Sequence, residues 1–389
     1  MFRVIGTFRK IVKVKFEFHK IKNHPFLIYD QEGAHLLLEF FKKGDVFVLE
    51  VRGRSINIYY LLKTLLGGSL TYKKYLDVII TSVNPQCVIT NIDNNQNFYK
   101  LKHRFPTVTT IFVQNGTRGE SGDIFGKVDA CSNYKVDYML VHGNAIGRKY
   151  QSIVGGNAIP VGSIKNNKLL VEKKSKSKNS QLILFASLYT VPPANSAEPL
   201  WFEKDGRAIY WHQFYEAERS ILPFLKNYVN ARNMHLQICG RLILGKEAEY
   251  NFYNSYLAGC NWEFLERTGT YSSYSHLDQA EVVVNVDSTL GYEALGRGCK
   301  VAFLSVRGTY LRNTASRFGW PGSFDEEGPF WTNQPNTVHY NRILNNLTEM
   351  KESDWLRISN NAREELMHYD FGNSRIAKIL QEIQMNQKT

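Results

Sequence analysis

Residues 281–305, EVVVNVDSTLGYEALGRGCKVAFLS, pass from one apolar segment through a helix-forming one into a second apolar segment. The short runs VVV and VAF are β-branched or aromatic, which suits strands covered on both faces. TLGYEALGRG between them reads as a helix. Strand, join, helix and strand make the unit of a parallel sheet, whose ligands bind at the carboxyl ends of the strands. Asp287, Ser288 and Thr289 stand at that join. Free backbone donors and the helix dipole favour an anion there, and the two hydroxyls add ligands for a phosphate. Gly291, lacking a Cβ, would let a ligand approach the backbone closely. The same residue types are ordinary helix caps. A capping box from Thr289 would want its acid at 292, which is Tyr292, so Glu293 is available for another task, such as holding both hydroxyls of a ribose.

The alternation extends outward in both directions. FLIYD, DVFVLEV, CVITNID, TVTTIFVQNG, YMLVHG and AIPVGS read as strands in the first half, and QLILFAS, HLQICG, NWEFLER, EVVVNV and KVAFLS in the second. At 389 residues the chain exceeds the usual size of one core. The expected fold is α/β, with two doubly wound Rossmann-like domains facing across a cleft. Residues 1–164 would form the first domain with a basic amino-terminal segment, and 181–354 the second. KNNKLLVEKKSKSKNS at 165–180 reads as a linker, and the helical tail 355–389 is suited to cross back to the first domain.

Composition excludes several classes. A 43% hydrophobic share argues against disorder, and five scattered cysteines without a CxxC pair argue against a disulfide framework or a zinc site. No run approaches the roughly 18 apolar residues of a spanning helix, and the amino terminus lacks a signal-peptide pattern, so a cytoplasmic protein is expected. The net charge of +12 points to an anionic partner. Residues 1–22 hold seven basic side chains against Glu17, interleaved with phenylalanine, isoleucine and valine. That segment suits the anionic inner face of a membrane, although VKVKFEF also alternates like an edge strand. No nucleic-acid-binding motif accompanies the charge, so nucleic acid is not an expected partner.

Further candidates lie at predicted strand ends. Arg241 follows HLQICG and Lys246 comes five residues later, a pair suited to stabilising a departing phosphate. Ser187, ending QLILFAS, is counted with the phosphate-binding set. In the first half the polar loop that begins at the end of TVTTIFVQNG offers Gln114, Asn115, Thr117 and Arg118 for acceptor or donor sugar, and His142 near the end of YMLVHG is comparable. Glu120 or Asp123 in that loop, or Asp30 at the end of FLIYD and Glu32 just beyond it, are candidates for the base that deprotonates an acceptor hydroxyl. A DxD motif is absent, so metal-independent chemistry is expected, with no cofactor.

DSTLGYEALGRGCKVAFLS, with weaker support from FVQNGTRGE, resembles the carboxyl-terminal signature of bacterial surface-carbohydrate glycosyltransferases of the two-Rossmann-domain GT-B fold. The layout is more distantly similar to capsule Kdo transferases and teichoic-acid glycerophosphotransferases. The resemblance implies a nucleotide sugar in the second domain, with Ser288 and Thr289 on phosphate and Glu293 on ribose. It also implies a lipid-linked or oligosaccharide acceptor. The His-Pro motif of Kdo transferases is missing from the second half, where only Gln334 and Pro335 stand. A nucleotide-sugar epimerase or a CDP-polyol phosphotransferase of the same fold remains an alternative reading, as does a non-enzymatic basic protein that binds membrane or nucleic acid.

Overall fold

Short apolar runs become strands because helices cover them on both faces, and the computed structural model places such runs in two parallel sheets. It describes residues 14–68, 70–120, 123–127, 133–172 and 181–385. The strands of the first half are β1 (Lys15–Glu17), β2 (Phe26–Tyr29), β3 (Val46–Leu49), β4 (Ser55–Asn57), β5 (Cys87–Thr90), β6 (Thr109–Val113), β7 (Lys135–Val141) and β8 (Gly155–Pro160). Those of the second are β9 (Leu182–Ala186), β10 (Trp201–Phe202), β11 (Ala208–Ile209), β12 (His235–Cys239), β13 (Trp262–Leu265), β14 (Val282–Asn285), β15 (Val301–Leu304) and β16 (Trp331–Thr332).

The first six-stranded sheet runs β3-β2-β5-β6-β7-β8 and the second β13-β12-β9-β14-β15-β16. Every pairing within them is parallel, with Val283 beside Leu184 on one side and Val301 on the other. In the second sheet the chain moves outward from β9 to β12 and β13, then returns to β14. That reversal opens a crevice at the carboxyl ends of β9 and β14, the place where doubly wound sheets bind ligands. Lys15–Glu17 pairs with β4 as a short strand, and residues 1–13 of the basic segment lie outside the described residues.

The segment read as a linker is built into the junction over its first residues. Ile164–Asn167 is a short helix in which Asn166 and Asn167 are buried. Asn167 donates to the Val161 carbonyl at 2.7 Å and to Asn373 Oδ1 at 3.1 Å, while Asn166 donates to the Glu293 carbonyl at 3.1 Å. Buried amides held at both ends order this stretch despite its polar composition. Residues 173–180 fall outside the description.

The tail closes the molecule. The helix Glu352–Leu366 buries Trp355 against Phe330 of the second domain. The last helix, Ser374–Met385, places Ile376, Leu380 and Ile383 in the core of the first, with Phe26, Ile28 and Ile111. Burying each of these three is worth about 1.5–3 kcal/mol, so the crossing ties the two domains together.

Candidate functional site

The crevice holds a polar cavity of about 340 Å³ at the carboxyl ends of β9, β12, β13 and β14. Lys165, Arg241 and Arg267 give it positive charge, and Thr270, Ser273 and Ser288 give it hydroxyls. Ser288 is the N-cap residue just before the helix Thr289–Gly296, yet its side chain makes no capping hydrogen bond. Asn285 does that work from the preceding strand, accepting from Ser288 N at 3.1 Å and donating to its carbonyl at 3.2 Å. The Ser288 side chain is therefore not spent on capping, and the residue lines the cavity.

Glu293 lines the same cavity, 4% exposed, and accepts from Ser163 Oγ at 2.5 Å. Burial pushes its carboxyl above the ordinary range, against the opposing pull of Lys165 and hydrogen bonds from Ser163 and Tyr274. Arg241 is held by Tyr189, whose carbonyl it meets at 3.0 Å. The loop after β12 is shaped by buried Glu249, which accepts from Arg241 N and Leu242 N at 2.9 Å each. Sequence reasoning missed Glu249 and Arg267. Arg267 ends NWEFLER, two residues past the strand, the same kind of signal that singled out Arg241.

Of the other expected phosphate ligands, Ser187 and Thr289 line this cavity with hydroxyls that are already hydrogen-bonded, while Gly291 and Lys246 lie off it. A Cβ on Gly291 would lie 2.1 Å from Asn285 Cγ, so this glycine permits helix-on-strand packing and does not line the cavity. Lys246 pairs with Glu266 at 2.5 Å over a separate shallow depression. The Ser187 hydroxyl is saturated by Glu249, Tyr253 and Tyr189 N. Thr289 Oγ1 meets Thr117 across the cleft, 3.3 Å from its amide and 3.2 Å from its hydroxyl, and so latches the two domains together.

Asp287 turns away from this cavity into a second one of about 250 Å³, whose wall includes Trp201, Phe214, Tyr292 and Trp320. Thr117 and Leu188 line both cavities, which therefore adjoin. Asp287 Oδ2 accepts from Arg307 Nε at 2.8 Å, and Arg307 donates to Glu218 at 2.6 Å from beneath. The other carboxylate oxygen, Asp287 Oδ1, is buried without a hydrogen-bond partner among the described residues.

His142, at the end of β7, lines the second cavity too. Its amide donates to Gln114 Oε1 at 2.9 Å, and its carbonyl accepts from His368 N at 2.8 Å, so the backbone is fixed by the loop on one side and the crossing tail on the other. Nε2 has no partner among the described residues. Burial pushes the imidazole down to about 4, with Asp93 pulling it up and Arg118 pushing it further down. Burial therefore holds the ring in its neutral form, in which one ring nitrogen is free of a proton and can accept a hydrogen bond.

The loop 114–120 is anchored by Asp93, which the sequence reading did not single out. Arg118 Nε meets Asp93 Oδ2 at 2.7 Å, Tyr150 donates to the same oxygen at 2.5 Å, and Asn115 N reaches Oδ1 at 3.2 Å. Burial raises the Asp93 carboxyl, but Arg118 and these donors outweigh it and hold the group below the usual range. The Arg118 carbonyl in turn accepts from Trp320 Nε1 at 3.0 Å. Arg118 and Asn115 thus spend their polar atoms on shaping the loop.

Of the four candidate bases, Glu120 alone reaches a cavity wall, paired with Lys149 at 3.5 Å. Asp123 caps Ile124 N at 2.8 Å and also accepts from Gly119 N, Asp30 is bound by Arg52 at 2.9 Å, and Glu32 lies exposed beside Arg54 at 3.5 Å. None of those three lines either cavity.

Comparison with solved structures places the chain in the same two-domain GT-B fold. It is similar to a UDP-N-acetylglucosamine 2-epimerase (11% identity, 95% of this chain and 97% of that one, TM-score 0.51) and to the UDP-GlcNAc 2-epimerase of Methanocaldococcus jannaschii (11% identity, 93% and 100%, TM-score 0.50). It is also similar to the wall teichoic acid polymerase TagF (8% identity, 95% and 91%, TM-score 0.50). No curated protein sequence matches. A sequence profile for the family described as "putative O-antigen biosynthesis protein" matches residues 111–384, which span both cavities, and the chain belongs to that family.

Proposed function

We propose that the protein transfers a sugar from a nucleotide-sugar donor to a hydroxyl of a glycan acceptor during assembly of a bacterial surface polysaccharide. The observation that carries this reading is the adjacency of two unlike cavities, one cationic and hydroxyl-lined at a helix amino terminus, the other aromatic and bearing a neutral imidazole whose Nε2 has no partner among the described residues. The first suits a nucleotide phosphate, with Glu293 on the ribose. The second suits a sugar ring, whose apolar faces pack on aromatic side chains. His142 Nε2 takes the acceptor proton as the acceptor oxygen bonds to the anomeric carbon. The bond from that carbon to the phosphate oxygen breaks, and Arg241, Arg267 and the helix dipole stabilise the charge that gathers on the departing nucleotide. The base is thereby assigned to His142 in preference to Glu120, Asp123, Asp30 or Glu32.

Thermal unfolding in the presence of CMP, CDP, UDP, GDP and their sugars tests the donor site. A ligand at a hundred times its dissociation constant stabilises the fold by about 2.7 kcal/mol. Replacing Arg241 and Arg267 together by alanine is expected to weaken that ligand tenfold or more, at about 1.5–3 kcal/mol for each lost charge-assisted hydrogen bond. Full affinity in the double variant would move the phosphate elsewhere. Mass spectrometry of the products then separates transfer from epimerisation. Conversion of the free sugar nucleotide without any acceptor would overturn the transferase reading.

Glu293→Gln is expected to weaken nucleotide binding about tenfold by exchanging a carboxylate acceptor for an amide. Because the carboxyl sits above its ordinary range, the wild-type affinity should fall as pH drops through that raised value, and the variant should lack this dependence. Calorimetric titration between pH 8 and pH 5, at about one-unit steps, reads both effects. Equal pH profiles for the two proteins would remove Glu293 from the ribose.

A further inference from the structure

The helix Ile58–Leu66 buries one narrow stripe, Tyr60 and Thr64, and turns apolar side chains to the outside. Leu62 is 54% exposed, Leu65 55% and Leu66 88%, and Leu70 in the following loop is 57% exposed. Tyr59 and Tyr72 flank them, also exposed. Phe16 and Phe18 are exposed as well, at and just after β1, which pairs with β4, the strand that leads into this helix. A patch of this kind on a folded domain marks an interaction site and not ordinary surface.

Charge identifies what it meets. Residues 52–76 contain five basic side chains, Arg52, Arg54, Lys63, Lys73 and Lys74, and no acid. Lys63 Nζ contacts Ser82 Oγ at 3.5 Å, Lys74 Nζ contacts the Gly67 carbonyl at 3.4 Å, and Lys20 lies 5.3 Å over the Tyr59 ring. These three lysines rest on neutral partners, whereas Arg52 and Arg54 at the border pair with Asp30 and Glu32. A second copy of the chain would bring like charges face to face, since a two-fold interface is built from the same patch twice. A bilayer surface of anionic phospholipid matches both features, taking leucine side chains into the boundary below the headgroups and lysines onto the phosphates.

We propose that this surface, Leu62, Leu65, Leu66 and Leu70 with Lys20, Lys63, Lys73 and Lys74, docks the first domain on an anionic phospholipid membrane. Arg52, at the border of the patch, bonds to Asp30 at the carboxyl end of β2. The docked surface therefore adjoins the sheet edge that carries the 114–120 loop, and docking would hold the cleft close to a lipid-linked acceptor.

The test is co-sedimentation of the full chain with vesicles of phosphatidylglycerol and phosphatidylcholine, compared with vesicles of phosphatidylcholine alone. Binding to the anionic vesicles is expected to weaken with added salt, and the Leu65→Glu, Leu66→Glu double variant should bind more than tenfold less. Both positions are exposed, so the melting temperature and its rise with nucleotide should be unchanged; that readout stays independent of vesicle binding. Equal binding to neutral vesicles, or full binding by the double variant, overturns the proposal. So does light scattering that shows a dimer dissociated by the substitutions, which would assign the surface to a second copy.

Discussion

His142→Asn is expected to slow sugar transfer by about 10²–10⁴-fold, the usual loss on removing a general base, while leaving nucleotide binding nearly unchanged. Nucleotide affinity should survive because His142 lines the aromatic cavity and not the polar one. The backbone contacts that position residue 142, to Gln114 and His368, do not depend on the side chain. Titration supplies a second check. With the folded imidazole pushed down to about 4 against 6.5 for an ordinary one, kcat/KM should hold down to acid pH and fall as the ring protonates near pH 4. The same shift makes the folded state bind a proton less readily than the unfolded chain. Wild-type stability should therefore be complete above about pH 6.5 and decline as pH falls toward 4, by roughly 3 kcal/mol, and the variant should lose that part of the decline. A variant that keeps its transfer rate would return the base to Glu120, the one candidate acid on the wall.

The sheets and the join were legible in the sequence because strands covered on both faces must be apolar runs, and because ligand groups gather at their carboxyl ends. Ser288, Arg241 and Glu293 follow from that rule and line one cavity. What the sequence does not reveal is which charged groups are already taken. Asp30 with Arg52, Asp93 with Arg118 and Lys246 with Glu266 are each twenty or more residues apart, and only the folded sheet brings them into contact. An acid at a strand end looks equally catalytic whether a guanidinium waits beside it or not. Gly291 shows the same gap at the level of shape, since close approach by Asn285 and close approach by a ligand demand the same residue.

Arg307→Met should cost about 3–5 kcal/mol of folding stability, the largest loss expected of a single substitution here that leaves the backbone free of new strain. Arg307 is wholly buried between Glu218 and Asp287, donates to both and to the Phe214 carbonyl, and lies 3.8 Å over the Phe214 ring. Methionine fills much of the volume but abandons two acids, one of them fully buried. Burial already raises the Glu218 carboxyl, and without the arginine that opposes the shift it should protonate on folding. The variant should therefore regain stability as pH falls through the raised value, the reverse of the trend set by His142. Adding Glu218→Leu should recover a large part of the loss, because an apolar pair in place of a buried ion pair is often close to neutral. Urea unfolding of the single and double variants at neutral and acid pH measures all three effects. If the single variant lost less than about 1 kcal/mol, the network would rank with exposed pairs. Asp287 would then stand on the cavity wall without need of its arginine, and its unpartnered oxygen would be the group to examine for contact with the sugar.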